Sequence, residues 1–162
     1  QDLNIFHLAE KNRKGIVILV NKWDLVEKTT NSTKEYEEKI RERIAPFRDV
    51  PIIFTSAITK QRVLKAIEMA EKVYANRIKT IKTRQLNDVM LPIIENHPPA
   101  ATKGKYVKVK FINQLPTHAP TFAFYCNLPQ YVTESYMRFL ENRLRENFDF
   151  TGVPIQLFMR NK

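Results

Sequence analysis

The chain has 162 residues, of which 43% are hydrophobic, and a formal net charge of +10. This hydrophobic content is sufficient for a core, and no apolar run approaches the roughly 20 residues needed to span a bilayer. We therefore expect a soluble, cytoplasmic protein without a signal peptide or a membrane contact, and the single cysteine, Cys126, argues against a disulfide framework.

The first segments alternate between helical and strand patterns. Leu3, Phe6 and Leu8 are spaced as in a helix, and the apolar run at residues 16–20 predicts a strand buried on both faces of a parallel sheet. The run ends in the polar tetrapeptide Asn-Lys-Trp-Asp at residues 21–24. Parallel sheets bind ligands at the carboxyl ends of their strands, so a binding site is expected there.

The tetrapeptide resembles the Asn-Lys-x-Asp guanine-recognition motif of P-loop GTPases. The Asp24 carboxylate can accept two hydrogen bonds, from N1–H and the 2-amino group of guanine, which adenine does not offer in that arrangement. Lys22 would lie along the base and ribose, and Asn21 would contact the base edge and connect neighbouring loops. The alternative is a polar turn in which Asp24 caps a helix or bonds its own backbone.

A second strand has a matching end. Residues 50–54 form another apolar run, followed by Thr55, Ser56 and Ala57. In GTPases the corresponding Ser-Ala loop offers a backbone N–H, here that of Ala57, to the guanine O6. Helical spacing at residues 33–45 and 63–76 completes an order of helix, strand, helix, strand and helix, which predicts half of a doubly wound α/β domain.

The second half of the chain predicts a separate small α+β domain with the order α-β-β-α-β. Residues 77–84 form a short basic connection. The alternation at residues 106–111 places Val107, Val109 and Phe111 on one strand face, and residues 121–127 form a hairpin partner. The predicted helices and last strand cover residues 85–96, about 132–144 and 155–159.

Positive charge is concentrated in this second half. Residues 77–162 contain 13 basic and 6 acidic side chains, so they carry +7 of the net +10. Such an excess attracts phosphate backbones without conveying sequence specificity, although a merely solvated surface would look the same. The candidate RNA-contacting or partner-contacting residues are Lys103, Lys105, Lys108 and Lys110.

Taken together, the two halves resemble the EngA (Der) family of bacterial GTPases over essentially the whole chain. The segments that carry the resemblance are residues 21–26, 55–57, 61–63, 97–99, 120–122, 135–136, 140–146 and 152–155. The resemblance implies that residues 1–80 are the C-terminal half of a P-loop GTPase domain and that residues 81–162 are a KH-like domain. It makes Asn21, Lys22, Asp24, Ser56 and Ala57 the guanine-binding residues.

The resemblance also implies cofactors and partners. GTP or GDP and Mg²⁺ would bind the full-length protein, which would assist assembly of the large ribosomal subunit and contact its rRNA. The KH-like domain would pack against the GTPase domains located upstream. The glycine-rich phosphate-binding loop is missing, since the only glycines are Gly15, Gly104 and Gly152, so this chain should not hydrolyse GTP on its own.

Other site types fit the sequence poorly. The same shortage of glycines excludes the Gly-x-x-Gly loop with which KH domains clamp RNA. His7, His97 and His118 are scattered, so no metal site is expected, and no catalytic residue is assigned. The alternative hypothesis is a stand-alone RNA-binding adaptor without nucleotide function, in which the Asn-Lys-x-Asp segment has only a structural role.

Overall fold

The structure, a computed structural model, describes residues 1–27, 32–101 and 104–161. Two units are apparent: unit 1 comprises Gln1–Arg77 with Thr151–Pro154, and unit 2 comprises Ile78–Phe150 with Ile155–Lys162. Both mix helices with a small sheet. None of the described helices is long and apolar enough to cross a membrane.

Unit 1 has the predicted alternation of helices and strands. Its elements are α1 (Asp2–Lys11), β1 (Ile18–Val20), α2 (Ser32–Arg43), β2 (Ile52–Phe54) and α3 (Val63–Ile78). The two strands pair in parallel, with Ile18 opposite Ile52 and Val20 opposite Phe54.

The apolar core of unit 1 lies beneath α1 and α2. Phe6, Ile44, Phe47 and Val50 are buried together, and the rings of Phe6 and Phe47 stack with centroids 6.3 Å apart. Trp23, Ile53, Phe54 and Val73 are also buried in unit 1, and Val73 on α3 is 3% exposed.

The prediction that β1 is buried on both faces is wrong. Leu19 is 51% exposed, although its register partner Ile53 on β2 is buried. The apolar stripe predicted for α3 is also exposed: Val63, Ile67 and Tyr74 are 39%, 54% and 61% exposed. Apolar periodicity predicted these elements correctly but does not by itself supply the surface against which they pack.

Residues 151–154 belong to unit 1 although they lie far from it in the sequence. The Ile16 N–H donates to the Gly152 carbonyl at 2.7 Å, and the Gly152 N–H donates to the Asp49 carbonyl at 2.7 Å. The Asn76 side chain donates to the Thr151 carbonyl at 3.1 Å. This segment therefore joins the entrances of both strands to α3.

Unit 2 has the predicted α-β-β-α-β order. Its elements are α4 (Thr83–Asn96), β3 (Val109–Gln114), β4 (Thr121–Cys126), α5 (Glu134–Asn147) and β5 (Gln156–Asn161). The sheet order is β3-β4-β5, with β3 antiparallel and β5 parallel to β4. Helices α4 and α5 contribute to a core that is centred on Phe122, Phe124, Leu140 and Leu144, all fully buried.

One detail of β3 departs from the prediction. A bulge between Val109 and Phe111 breaks the strict alternation, so Ile112 takes the buried position and Phe111 is only half-buried. The expectation that Phe111 shares a face with Val107 and Val109 is therefore wrong. An extra residue in one strand shifts every later side chain to the opposite face.

Two amides attach α4 and the preceding segment to β3. The Asn87 side chain donates to the Ile112 carbonyl at 2.7 Å and accepts from the Ile112 N–H at 2.8 Å, so it pairs with the strand edge as another strand would. Gln114 accepts from the Ile81 N–H at 2.7 Å and donates to the Lys79 carbonyl at 2.8 Å. These bonds satisfy polar backbone groups that an edge strand would otherwise leave open.

Candidate functional site

The polar ends of β1 and β2 lie side by side at one edge of the sheet in unit 1. Because the strands are parallel and in register, both end at the same edge. The hydrogen bonding continues beyond them: the Thr55 N–H donates to the Val20 carbonyl at 2.8 Å, and the Trp23 N–H donates to the Thr55 carbonyl at 3.0 Å. Residues 21–24 therefore run directly beside residues 55–57.

Asn21 and Ala57 connect the two loops. The Ala57 N–H donates to the Asn21 side-chain oxygen at 3.2 Å, although the residues are 36 positions apart. A ligand carbonyl at this point would have to share or replace the bond from the Ala57 amide. The Asn21 amide nitrogen is left for a ligand or for solvent.

Asp24 carries an unusual buried oxygen. Its Oδ1 is inaccessible to solvent and has no hydrogen-bond partner among the described residues. A buried acceptor without a donor costs about 1–3 kcal/mol, and more when it is charged. A ligand that brought an N–H group to Asp24 would remove that cost.

The neighbours of Asp24 fix its position. Trp23 begins a short 3₁₀ turn at Trp23–Leu25 and is 3% exposed, with its ring 4.3 Å from Phe54 and 5.3 Å from Tyr36 between centroids. Trp23 therefore packs against the end of β2. Lys22, which precedes this turn, has a left-handed φ of +59° and an exposed side chain.

The Ser56 loop is closed by its own backbone. Ser56 is fully buried, its hydroxyl accepts from the Thr59 N–H at 3.2 Å, and its N–H donates to the Gln61 carbonyl at 3.3 Å. The Ser56 hydroxyl thus shapes the loop. Lys60 and Arg62, on either side of Gln61, both have φ of +58°.

Arg62 makes a contact that the sequence did not predict. Its guanidinium donates to the carbonyl of Phe54, the last residue of β2, at 3.2 Å. The bond arises only because the loop returns to the strand end. A basic residue eight positions after the end of a strand gives no such signal in the sequence.

The candidate RNA-contacting lysines belong to unit 2. Lys105, Lys108 and Lys110 are exposed, whereas Lys103 lies outside the described residues. Asn127 holds this segment, since its side chain accepts from the Lys108 N–H at 2.7 Å and donates to the Tyr106 carbonyl at 3.1 Å. The lysines therefore lie along β3 and the segment that leads into it.

Within the described ranges, no group of three or more His, Cys, Asp or Glu side chains could hold a metal ion. Cys126 is a buried free thiol whose pKa is raised by burial. Its predicted role in packing is confirmed.

Comparisons with known proteins are consistent across the chain. Residues 80–160 match the family described as the KH-domain-like of EngA bacterial GTPase enzymes, C-terminal. "GTPase Der" of Christiangramia forsetii is 69% identical over 159 residues, covering 98% of this chain and 37% of the relative. The proteins of the same name from Flavobacterium psychrophilum and Bacteroides fragilis are 64% and 59% identical, covering all of this chain and 37% and 38% of their own lengths. The chain thus spans a little over a third of these curated relatives.

Proposed function

Because this chain belongs to the EngA family of bacterial GTPases, we propose that unit 1 is the guanine-reading side of a P-loop GTPase domain and that unit 2 is the KH-like module that follows it. In this proposal residues 1–80 are the C-terminal half of the GTPase domain. Residues 81–162 form a basic module that contacts RNA or partner domains.

This proposal mainly rests on Asp24, whose buried Oδ1 has no hydrogen-bond partner within the residues that the structure describes. Guanine presents two adjacent donors, N1–H and the 2-amino group, and a carboxylate can accept both. Adenine in the same place would leave the carboxylate without its bonds, which makes the site selective.

The other candidate residues have complementary roles in this proposal. Ala57 offers its N–H to the guanine O6, which shares or replaces the bond from that N–H to the Asn21 side-chain oxygen; without a base, that bond holds the two loops together. Lys22 lies along the base and ribose with its aliphatic stem. Ser56 supports the loop from inside, as its burial suggests.

The activity of the whole protein would require further parts. GTP or GDP with Mg²⁺ would bind through a phosphate-binding loop located elsewhere, and hydrolysis would take place there. We further propose that the full-length protein acts in the bacterial cytoplasm on the large ribosomal subunit. The positive charge of unit 2 supports a contact with rRNA.

Substitution of Asp24 by Asn in the full-length protein tests the base-reading role. The amide of Asn can accept from N1–H and can donate to the 2-carbonyl of xanthine, whereas its donor would face the 2-amino group of guanine. We expect Asp24→Asn to weaken GDP binding at this domain by about 10-fold or more and to favour xanthosine diphosphate.

Glu27→Gln is the matched control, because Glu27 is an exposed acid three positions away and should not affect base selection. Binding of both diphosphates is measured by competition against a fluorescent GDP analogue, with the first GTPase domain inactivated. An unchanged preference for GDP in Asp24→Asn would contradict the proposed role. The stand-alone adaptor hypothesis predicts that unchanged result.

A further inference from the structure

The face of the unit 2 sheet opposite its helices is partly exposed: Phe158 and Arg160 on β5 are exposed and Phe111 on β3 is half-buried, whereas Ala123 of the central strand is fully buried. Phe122 and Phe124 point into the core, so their neighbours Ala123 and Tyr125 lie on the opposite face. The register gives this face two rows across the three strands. The first row is Phe111, Tyr125 and Arg160, and the second is Asn113, Ala123 and Phe158.

Aromatic rings dominate this face. The bulge in β3 brings Phe111 onto it, where its ring stacks on Tyr125 with centroids 4.3 Å apart and planes 7° apart. Phe158 on β5 is 39% exposed, and Tyr125 is half-buried. With strands about 4.8 Å apart, the rows span about 10 Å, which is the scale of one or two nucleobases.

The charges of unit 2 are segregated between its helices and its sheet. Each arginine of α4 and α5 forms an ion pair with an acid on its own helix; the pairs are Arg84–Asp88, Arg138–Glu134, Arg143–Glu146 and Arg145–Glu141. Residues 97–133 and 150–162 contain no acidic residue at all. Within the part of unit 2 that the structure describes, Lys105, Lys108, Lys110 and Arg160 form no ion pair.

We propose that this sheet face, called here the aromatic platform and defined by Phe111, Tyr125, Phe158 and Arg160, binds single-stranded RNA. The inference deepens the proposed function, since it rests on the RNA-facing role of unit 2. Unpaired bases stack on the rings and phosphates contact Arg160 and the lysines along β3. Partly exposed rings, bordered by cations that form no ion pair with the described residues, fit a chain of flat, negatively charged units better than a neutral protein surface.

The proposal predicts a specific type of binding. Stacking is tolerant of sequence because every base has a π face, so affinity should depend on unpaired bases and on salt, with little dependence on base order. Duplex RNA keeps its bases stacked on one another and should bind the platform weakly. RNA binding on the sheet face does not require the Gly-x-x-Gly loop with which KH domains clamp RNA, and this chain lacks that loop.

The test uses the 162-residue chain and a fluorescein-labelled, unstructured RNA of about 12 nucleotides, with anisotropy as the readout. Phe158→Leu and Tyr125→Leu remove a ring but keep an apolar side chain. Each should weaken binding by about 10-fold. Tyr74→Leu is the matched control, because it removes an aromatic ring from Tyr74, a residue of unit 1 that is 61% exposed.

Charge is tested with a second matched pair. Arg160→Gln should weaken binding and reduce the slope of log affinity against log salt by about 0.7, the value for one phosphate contact on a single strand. Arg138→Gln changes the net charge equally but removes a cation that is already paired with Glu134 on α5. It should leave the slope unchanged.

Tryptophan fluorescence reports RNA binding at the platform directly, without removing an aromatic ring. The Phe158→Trp variant places an indole on the platform, and RNA should quench its fluorescence, whereas the native Trp23 is buried in unit 1. Far-UV circular dichroism verifies that each variant is folded.

The outcomes separate the inference from the proposed function. If the chain binds RNA but ring removal and Phe158→Trp quenching show no effect, the platform is not the site and the RNA-facing role stands. Equal binding of duplex and single strand would also overturn the platform. If the chain binds no RNA, both the platform proposal and the RNA-facing role fail. If, in addition, the upstream GTPase region shields the indole of the Phe158→Trp variant from an added quencher, the face is a protein contact.

Discussion

Gly152 is the residue whose substitution we expect to affect unit 1 most. Its φ is +78°, and an added Cβ would lie 2.5 Å from Val73 Cγ2 and 2.9 Å from the Ile16 carbonyl oxygen. A left-handed backbone costs an L-residue about 1–2 kcal/mol. Overpacking costs a further 1–3 kcal/mol or so. We therefore expect Gly152→Ala to lower the free energy of unfolding of unit 1 by about 2–5 kcal/mol.

Trp23 provides the assay. It is the only tryptophan, it is 3% exposed, and it lies in unit 1, so its fluorescence in a urea titration reports the unfolding of that unit. Far-UV circular dichroism on the same samples reports both units. Comparison of the two signals reveals whether the loss of stability is confined to unit 1.

The three glycines and Val73 separate strain from steric clash. Gly15→Ala brings a Cβ to 2.7 Å from Val73 Cγ1 without a left-handed φ, so it should cost the clash alone. Gly104→Ala, in unit 2, has a φ of +70° and open space, so it should cost about 1–2 kcal/mol, the backbone strain alone. Val73→Ala removes both clashing methyl groups and should offset part of the loss in Gly152→Ala. Two results together would refute the described packing of residues 151–154. In the first, Gly152→Ala would cost no more stability than Gly104→Ala. In the second, Val73→Ala would not reduce the loss caused by Gly152→Ala.

Further predictions concern individual groups and the chain as a whole. Burial raises the pKa of Tyr136 to about 12, whereas an unfolded tyrosine titrates near 10, so between about pH 10 and pH 12 the unfolded state loses the proton first and stability should fall. Urea titrations at these pH values should show that Tyr136→Phe loses less unfolding free energy than the wild type. Tyr106→Phe, which replaces a side chain that is 76% exposed, should lose as much as the wild type. Equal losses in all three proteins would contradict the role of Tyr136. Cys126 should react with a disulfide reagent many times more slowly in the native chain than in urea, and equal rates would show that it is accessible. Lys60→Gly should stabilise unit 1 by about 1 kcal/mol, because glycine adopts the left-handed φ of +58° without strain. Lys65→Gly, inside α3, should destabilise unit 1 by about 1 kcal/mol. Urea titrations followed by Trp23 fluorescence measure both effects. Calorimetry of the 162-residue chain should detect only weak GTP binding, and micromolar affinity would contradict the expectation that the phosphate site lies elsewhere.

The order of elements and the juxtaposition of residues 21–24 with residues 55–57 were predictable from the sequence. Two apolar runs with polar ends imply parallel strands, and parallel strands bring those ends to one edge. The sequence pattern did not predict that Asp24 Oδ1 would be buried without a hydrogen-bond partner in the described part of the chain, because the burial of a turn residue depends on tertiary packing.

Two features were beyond the reach of local pattern. Phe111 was predicted on the core face because its segment alternates strictly, but the bulge reverses the alternation and depends on pairing with β4. The neighbours of Gly152 are the second such feature, since Ile16, Asp49 and Val73 lie more than 70 residues away in the sequence. Long-range contacts of this kind leave no periodic signal in a single sequence.

The most direct measurement of base reading compares GDP with inosine diphosphate, which lacks the 2-amino group, for the full-length protein and its Asp24→Ala variant. If the Asp24 carboxylate accepts from that amino group, the wild type should prefer GDP by about 10-fold or more, and the variant should bind both nucleotides about equally. The same preference for GDP in both proteins would show that Asp24 does not contact the amino group and would contradict the proposed site.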